Sequence, residues 1–370
     1  MRGLLRRLHR WLGLIGGGFL ALIGLSGSVL VYEAELDAWL APAFHTPLAD
    51  VAPGQAPALQ TVLEAARRRW PGMESALLGL PADPRQPLRL YFSEGGASRE
   101  AALHPQSGAW LAERGDDHLL AWISALHVQL LAGRPGFLLV GVLGFGLLLA
   151  ALSGLWLSWP RKGNWRVVLT WKRGAHGVRR QFDQHRTAGL YPWAVLMVLG
   201  FSGAYLVFPQ PFQALLRPLA PVAAFPSGLS SAPAAGRPPL SLEAAVALAH
   251  RHYPQARITF INPAFAETDF IRIRLRQPGE WLHRGQTRLW LDRYSGAVLA
   301  RTDPRAANRA ERFLAAQLPL HLGEVLGEPG RLLWALAGLA PAWLLVSGLR
   351  IWWHSARRRP WRQRRRQTAP

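Results

Sequence analysis

Four stretches of the chain stay apolar without the polar–apolar alternation of a soluble fold, over residues 11–32, 136–159, 187–208 and 330–353. A bilayer core of roughly 30 Å takes about 20 helical residues, so each is long enough to span it. None carries Asp, Glu or Lys. Two long segments between them, 33–135 and 209–329, change pattern. In each, a helical pattern opens, at Leu63-Glu64-Ala65-Ala66 and at Leu242-Glu243-Ala244-Ala245. It stops at Trp70-Pro71 and at Tyr253-Pro254, where proline ends a helix. Residues 88–92 and 270–275 then alternate, which predicts half-buried strands. Residues 103–108 and 291–296 predict a strand running into a tight turn. Each long segment is expected to be a small α+β domain, and the Pro- and Ala-rich stretch 218–239 an extended linker.

Charge orients the spans. Residues 1–10 hold four Arg and no acid, residues 160–186 hold eight Lys or Arg against Asp183 alone, and the tail from Arg350 holds eight Arg and no acid. By the positive-inside rule these segments, and hence both termini, are expected in the cytoplasm of a bacterial inner-membrane protein. The long segments then lie outside, a multi-pass arrangement. A cleaved signal peptide is the competing reading of the start, but the first apolar run exceeds the usual h-region and no clean cleavage site follows. Trp156, Trp159, Trp352 and Trp353 fit a cytoplasmic aromatic belt. The Arg-rich tail reads as an anchor on anionic lipid. A net charge of +21 would suit nucleic acid, yet no folded reader of nucleic acid is evident.

The chain repeats itself. His9-Arg10 recurs as His185-Arg186 at an offset of 176, as do Gly24, Ser26 and Gly27 at Gly200, Ser202 and Gly203. At an offset of 194, His127, Gly133, Pro135 and Gly136 recur as His321, Gly327, Pro329 and Gly330, and Ser153-Gly154 recurs as Ser347-Gly348. The expected fold class is therefore a mainly α membrane protein. Four transmembrane helices form a tandem parallel repeat, with two small α+β extracytoplasmic domains. In chain order this gives a cytoplasmic start (1–10), the span 11–32, an external domain (33–135), the span 136–159 and a basic loop (160–186). The second unit gives the span 187–208, an external domain (209–329), the span 330–353 and a basic tail (354–370).

The repeat sorts the 12 histidines. His9 and His185 fall at cytoplasmic helix ends. His127 and His321 fall just outside the membrane, each separated from its span by a Gly-x-Pro-Gly break and so expected on a short surface helix. With no cysteine, thiolate sites, iron–sulfur clusters and c-type haem are excluded. Paired imidazoles suit the two axial positions of haem iron, and bis-His ligation suits electron transfer. Two haem b groups, one near each face, are expected on His9, His185, His127 and His321. His354 and His176 remain weaker alternatives to His9 or His185. The other six, His45, His104, His118, His250, His252 and His283, lack a repeat partner and read as surface residues. No catalytic side chain is singled out.

The opening Leu8-His9-Arg10-Trp11-Leu12-Gly13 with Ser26-Gly27, Leu126-His127 with Ser153-Gly154-Leu155-Trp156, His185-Arg186, and Leu320-His321-Leu322-Gly323-Glu324 with Ser347-Gly348 together resemble the PepSY-associated transmembrane proteins. That group includes iron-regulated membrane proteins and ferric-siderophore reductases. The Leu-x-x-x-Ser-Gly turns of the long segments resemble PepSY domains. The resemblance implies a reductase that takes electrons from a quinol or a cytoplasmic reductase and passes them to a periplasmic ferric siderophore, releasing Fe(II). It also implies a second-ranked alternative, a non-catalytic membrane-anchored module that binds peptides or peptidases. A transporter, suggested by the repeat, ranks third because the spans show no buried carboxylate and no clear break.

Overall fold

The computed structural model describes residues 2–160, 163–223, 225–232 and 236–357. Arg161 and Lys162 of the basic loop and residues 358–370 of the basic tail lie outside the described residues. The chain opens with α1 (Arg2–Ile15), α2 (Gly17–Leu30), α3 (Glu33–Leu40) and α4 (Leu59–Arg69). Strands β1 (Met73–Gly79), β2 (Leu88–Glu94), β3 (Ala97–Leu103) and β4 (Trp110–Gly115) follow, then α5 (Leu119–Gln129) and α6 (Gly133–Ser158). Next come α7 (Trp165–Leu169), α8 (Gly177–Leu190), α9 (Trp193–Val207), α10 (Pro209–Leu216) and α11 (Leu242–His252). The chain ends through β5 (Arg257–Asn262), β6 (Phe270–Arg276), β7 (Thr287–Asp292), β8 (Val298–Thr302), α12 (Arg309–Ala315), α13 (Gln317–Leu322), α14 (Gly327–Gly338) and α15 (Ala340–Arg357).

Two compact units form, each from segments distant in sequence. The first joins Met1–Tyr32, Ile123–Phe212 and Leu320–Pro370 and is helical. In it α6 and the run Glu324–Arg357 are each long and apolar enough to cross a membrane. The pairs α1–α2 and α8–α9 meet the same test if each is one span, but each is bent by 59°. The spans expected over 11–32 and 187–208 therefore each contain a break, where the sequence showed no clear one. Gly16 lies at the first bend, and Pro192, which has no N–H to continue the ladder, lies at the second. One ground for setting a transporter aside, the want of a broken helix, falls with this finding. Trp156, Trp159, Trp352 and Trp353 are exposed at the ends of α6 and α15, as a belt requires.

Helices in this unit approach through glycine. A Cβ on Gly24 of α2 would lie 2.3 Å from the carbonyl oxygen of Gly338 in α14, and one on Gly144 of α6 would lie 2.9 Å from that of Gly200 in α9. Between apolar helices, where burial drives little, such close backbone contact supplies the packing energy.

The second unit joins Glu33–Trp122 and Gln213–Pro319. It holds one eight-stranded sheet in the order β4-β3-β2-β1-β5-β6-β7-β8, every neighbouring pair antiparallel. The two separate α+β domains expected from the sequence are thus corrected to a shared sheet. The join is β1 against β5, with Leu78 opposite Ile261. Both residues are fully buried, so pairing the two strands covers apolar edges that separate domains would expose. One core runs through both halves. Leu59, Val62 and Ala66 of α4 and Leu242, Ala245 and Ala249 of α11 pack with Leu88, Leu90, Ile271 and Ile273. The first helix therefore begins at Leu59, one turn earlier than the pattern at Leu63 suggested. The turns pack against the helices through glycine as well: at Gly108 (φ +68°) an added Cβ would meet that of Ala65 at 2.6 Å, and at Gly296 (φ +70°) it would meet Leu248 at 2.5 Å.

The face of β2, β3 and β4 away from that core carries a closed charge network. Arg114 holds Asp37 at 2.6 Å and Glu100 at 2.7 Å, Arg89 reaches the same two carboxylates, and His45 Nε2 lies 2.9 Å from Asp37. His45 is therefore part of a structural cluster, not the isolated surface residue expected. Burial alone would raise the Asp37 pKa, but His45, Arg114 and Arg89 outweigh it and hold it far below 3.8. A depressed carboxylate stabilises the fold fully above its unfolded pKa and loses that contribution as pH falls toward the folded value. The unit is accordingly expected to lose stability below about pH 4. Asp37→Asn should flatten this acid limb in a pH series of thermal melts and, by leaving two half-buried arginines under-compensated, cost about 1.5–3 kcal/mol at neutral pH.

Candidate cofactor site: two histidine pairs

Short helices before α6 and α14 carry two of the histidines. After α5, Leu130 and Leu131 take φ of 50° and 57°, a left-handed turn that costs non-glycine residues about 1–2 kcal/mol each. The chain then closes back on itself, so that a Cβ on Gly136 would lie 1.8 Å from the Gln129 carbonyl oxygen. In the second half Gly323 (φ +74°) makes the turn, and a Cβ on Gly330 would lie 2.7 Å from its carbonyl oxygen. The Gly-x-Pro-Gly motif therefore does not separate histidine from span, as expected, but opens the span helix itself. Pro135 and Pro329 sit in the first turns of α6 and α14, where a missing N–H leaves no bond unmade.

These turns bring His127 of α5 and His321 of α13 together, ring centroids 6.1 Å apart. His9 of α1 and His185 of α8 meet likewise at 6.2 Å. All four rings are half-buried. The four residues singled out by spacing are thus joined as two pairs. His354 and His176 are exposed and enter neither ring pair.

Each histidine rests on a Ser-Gly dipeptide of another helix. His9 Nδ1 lies 2.9 Å from Ser153 Oγ, His185 Nδ1 2.9 Å from Ser347 Oγ, and His321 Nδ1 2.9 Å from Ser202 Oγ. His127 Nδ1 lies 2.9 Å from the Ile23 carbonyl oxygen and 3.3 Å from Ser26 Oγ. Each of these serines donates its single proton to a carbonyl of its own helix: Ser26 to Leu22, Ser153 to Ala150, Ser202 to Val198 and Ser347 to Trp343. The serine oxygen is then left to accept, so the histidine Nδ1–H donates. For His127 the Ile23 carbonyl can only accept, which requires the same tautomer. The lone pair of Nε2 is therefore free on all four rings, the state a metal ligand needs. The glycine that follows each serine lets the ring sit close: an added Cβ would meet Cε1 of His127 at 2.8 Å from Gly27, of His9 at 3.3 Å from Gly154, of His321 at 3.4 Å from Gly203 and of His185 at 3.4 Å from Gly348.

The spacing of the pairs matches two imidazoles on one metal. Two imidazoles bound through nitrogen on opposite sides of one metal, at about 2 Å each, place their ring centroids about 6 Å apart. Among the described residues no cluster of three or more His, Cys, Asp or Glu exists, so each pair offers two ligands only. A planar macrocycle that supplies four nitrogens of its own is completed by two axial imidazoles.

The four serines were visible in the sequence only as helix-packing Ser-Gly steps, and their second role needs the fold. Asp183, the lone acid of the basic loop, is another such residue. Fully buried, it accepts from the Lys172 backbone N–H and pairs with Arg179 and Arg186, tying that loop to α8. His104 and His118 accept from backbone N–H groups of Ser107 and Ala121 and serve local turns.

Apolar helices long enough to cross a membrane, carrying two half-buried histidine pairs, characterise the helical unit as that of a membrane protein. The chain belongs to the family described as the PepSY-associated TM region, whose profile matches residues 6–355. It is also similar to an uncharacterised protein of Pseudomonas aeruginosa, with 40% identity over 82 residues, 21% of this chain and 19% of that protein's length.

Proposed function

We propose that this protein is a four-span, tandem-repeat electron carrier of the bacterial inner membrane that reduces a ferric siderophore on the outer side. The observation that carries the reading is the pairing of four histidines at 6.1 and 6.2 Å with every Nδ1–H committed to an acceptor. His9 with His185 would hold one haem b and His127 with His321 a second; haem iron supplies reversible one-electron chemistry. The protein's own part is to hold and orient. The serines fix each ring's tautomer and plane, and the Nδ1–H bond raises the basicity of the ligating nitrogen. The glycines let each ring lie against a helix backbone. With two histidines holding each iron, small molecules would find no open coordination site.

Two relays are what a bilayer core of about 30 Å demands, since one hop across it is too long to be useful. The arginines of residues 1–10 and of the 160–186 loop support cytoplasmic termini and a His9–His185 pair near the inner face. Electrons would enter from a quinol or a cytoplasmic reductase and leave through the His127–His321 pair. One electron converts Fe(III) to Fe(II), which hard oxygen ligands hold less firmly, and the iron is released. The ferric siderophore rests on the family resemblance, not on the histidines.

The test is a reduced-minus-oxidised visible spectrum of detergent-purified protein with a pyridine haemochrome count. Sharp b-type bands at about two haems per chain are expected from two bis-His pairs. A folded, haem-free protein from haem-replete cells would remove this reading in favour of the peptide-binding module. The serines give a finer result. Ser153→Ala with Ser347→Ala should leave the fold intact but weaken haem retention about 10- to 100-fold, read as haem lost to an excess of apo-acceptor protein. Unchanged retention would mean that the serines only pack.

A further inference from the structure

The face of the sheet away from the core differs in charge between its two halves. In register, Arg274 of β6 stands directly opposite Arg288 of β7, and Arg272 stands opposite Trp290. Ile271, Ile273, Leu289 and Leu291 point into the core, so alternation puts Arg272, Arg274 and Arg288 together on the other face. All three are half-buried. Like charges directly opposite one another destabilise a sheet.

The first half solves the same problem. There Arg89 and Arg114 are neutralised by Glu100 and Asp37. Counting from the buried residues of the matching strands, Glu100 of β3 corresponds to Arg288 of β7, and Arg89 of β2 corresponds to Arg272 of β6. The compensating acid has become a third cation. Among the described residues Arg272, Arg274 and Arg288 have no carboxylate within ion-pair distance, and the buried Glu280 acts on Arg288 only from beyond it; Arg272 bonds Asn262, Arg274 lies over Phe260 and Arg288 over Phe225. Burial first, then Arg288, Arg272 and Arg284, push the Arg274 pKa down to about 10. Such an arrangement stores repulsion that an anion would relieve.

We propose that the face built by Arg272, Arg274 and Arg288 binds a small polycarboxylate anion in the form of its ferric chelate. The chelate rests on the reductase reading above; the anion site does not. Guanidinium forks match carboxylates two bonds at a time, and three of them on adjoining strands suit several charges gathered in one compact ligand. The aromatic rings of Phe260 and Phe225 hold two of the forks in place.

Full-length protein in detergent is titrated with citrate and with ferric citrate by calorimetry, alongside Arg274→Gln, Arg288→Gln and Arg251→Gln. The last removes one charge from α11, outside the cluster. We expect saturable binding to wild type and to Arg251→Gln, at least ten-fold weaker binding to the two cluster variants, and partial recovery in Arg274→Lys. Ligand should raise the thermal midpoint of wild type and of Arg251→Gln but not of Arg274→Gln or Arg288→Gln, and without ligand the cluster variants should melt no lower than wild type because repulsion is relieved. Equal affinity in all variants overturns the proposal. Binding of phosphatidylglycerol vesicles with no binding of citrate also overturns it and assigns the face to lipid. Haem content is read on the same samples, so loss of the anion site with haem intact refutes this inference alone, and citrate binding to haem-free protein refutes the reductase alone.

Discussion

His127→Ala with His321→Ala is expected to halve the haem content and abolish electron delivery to an external ferric chelate. Each ring would supply one ligand to the iron, and no third His, Cys, Asp or Glu joins either pair among the described residues to replace it. The His9–His185 pair is built from other helices and should retain its haem. The checks are the haemochrome count, falling from about two per chain to about one, and the rate at which chemically reduced protein is reoxidised by ferric chelate. Peptide or peptidase binding, if the protein has it, should survive the substitution, which separates the two family readings. Two haems retained in the double variant would sink the assignment. Their loss together, with elution and circular dichroism unchanged, would show the pairs to be one coupled site.

Gly24→Leu and Gly144→Leu are expected to be strongly damaging to the helix crossings of the helical unit. A Cβ at these positions would already lie 2.3 Å and 2.9 Å from a facing carbonyl oxygen, and backbone cannot give way as the tip of a flexible side chain can. Overpacking of a tight site costs about 1–3 kcal/mol and sometimes more, and in a membrane the close glycine contact is itself the source of association. The crossing of α2 with α14 also carries the Ser28 hydroxyl bond to the Ala335 carbonyl, 2.8 Å across helices. Separating these helices displaces Ser26-Gly27, the seat of His127, so haem at that pair should be lost along with thermal stability. Gly18→Leu serves as the control, because a Cβ there meets nothing within 4 Å. Equal melting of all three variants would show that the crossings tolerate a shift.

The chain's apolar runs and its spaced histidines were legible because both are local. A run of 20 apolar residues declares its solvent without reference to any partner, and an offset of 176 or 194 can be read from the line of residues. The strands over 88–92 and 270–275 were legible for the same reason, as alternation belongs to one strand alone. The bends at Gly16 and Pro192, the placement of Gly-x-Pro-Gly inside the helix and the start of α4 at Leu59 were not. A boundary depends on which backbone groups find partners, and propensity fixes it only to within a turn.

What the sequence determined by itself is therefore a membrane chain with four candidate spans, mixed helix-and-strand segments between them, and four histidines set apart by spacing. What only the tertiary structure decided is how these meet. Leu78 and Ile261 join two segments into one sheet because pairing buries edges that neither could bury alone. The histidines meet across helices 176 and 194 residues apart in sequence, and their tautomers follow from where four serine protons go. The uncompensated arginines emerge only in register, when Arg274 is found opposite Arg288. Hydrogen bonds and charges act over a few ångströms of space, and sequence separation carries no trace of that distance.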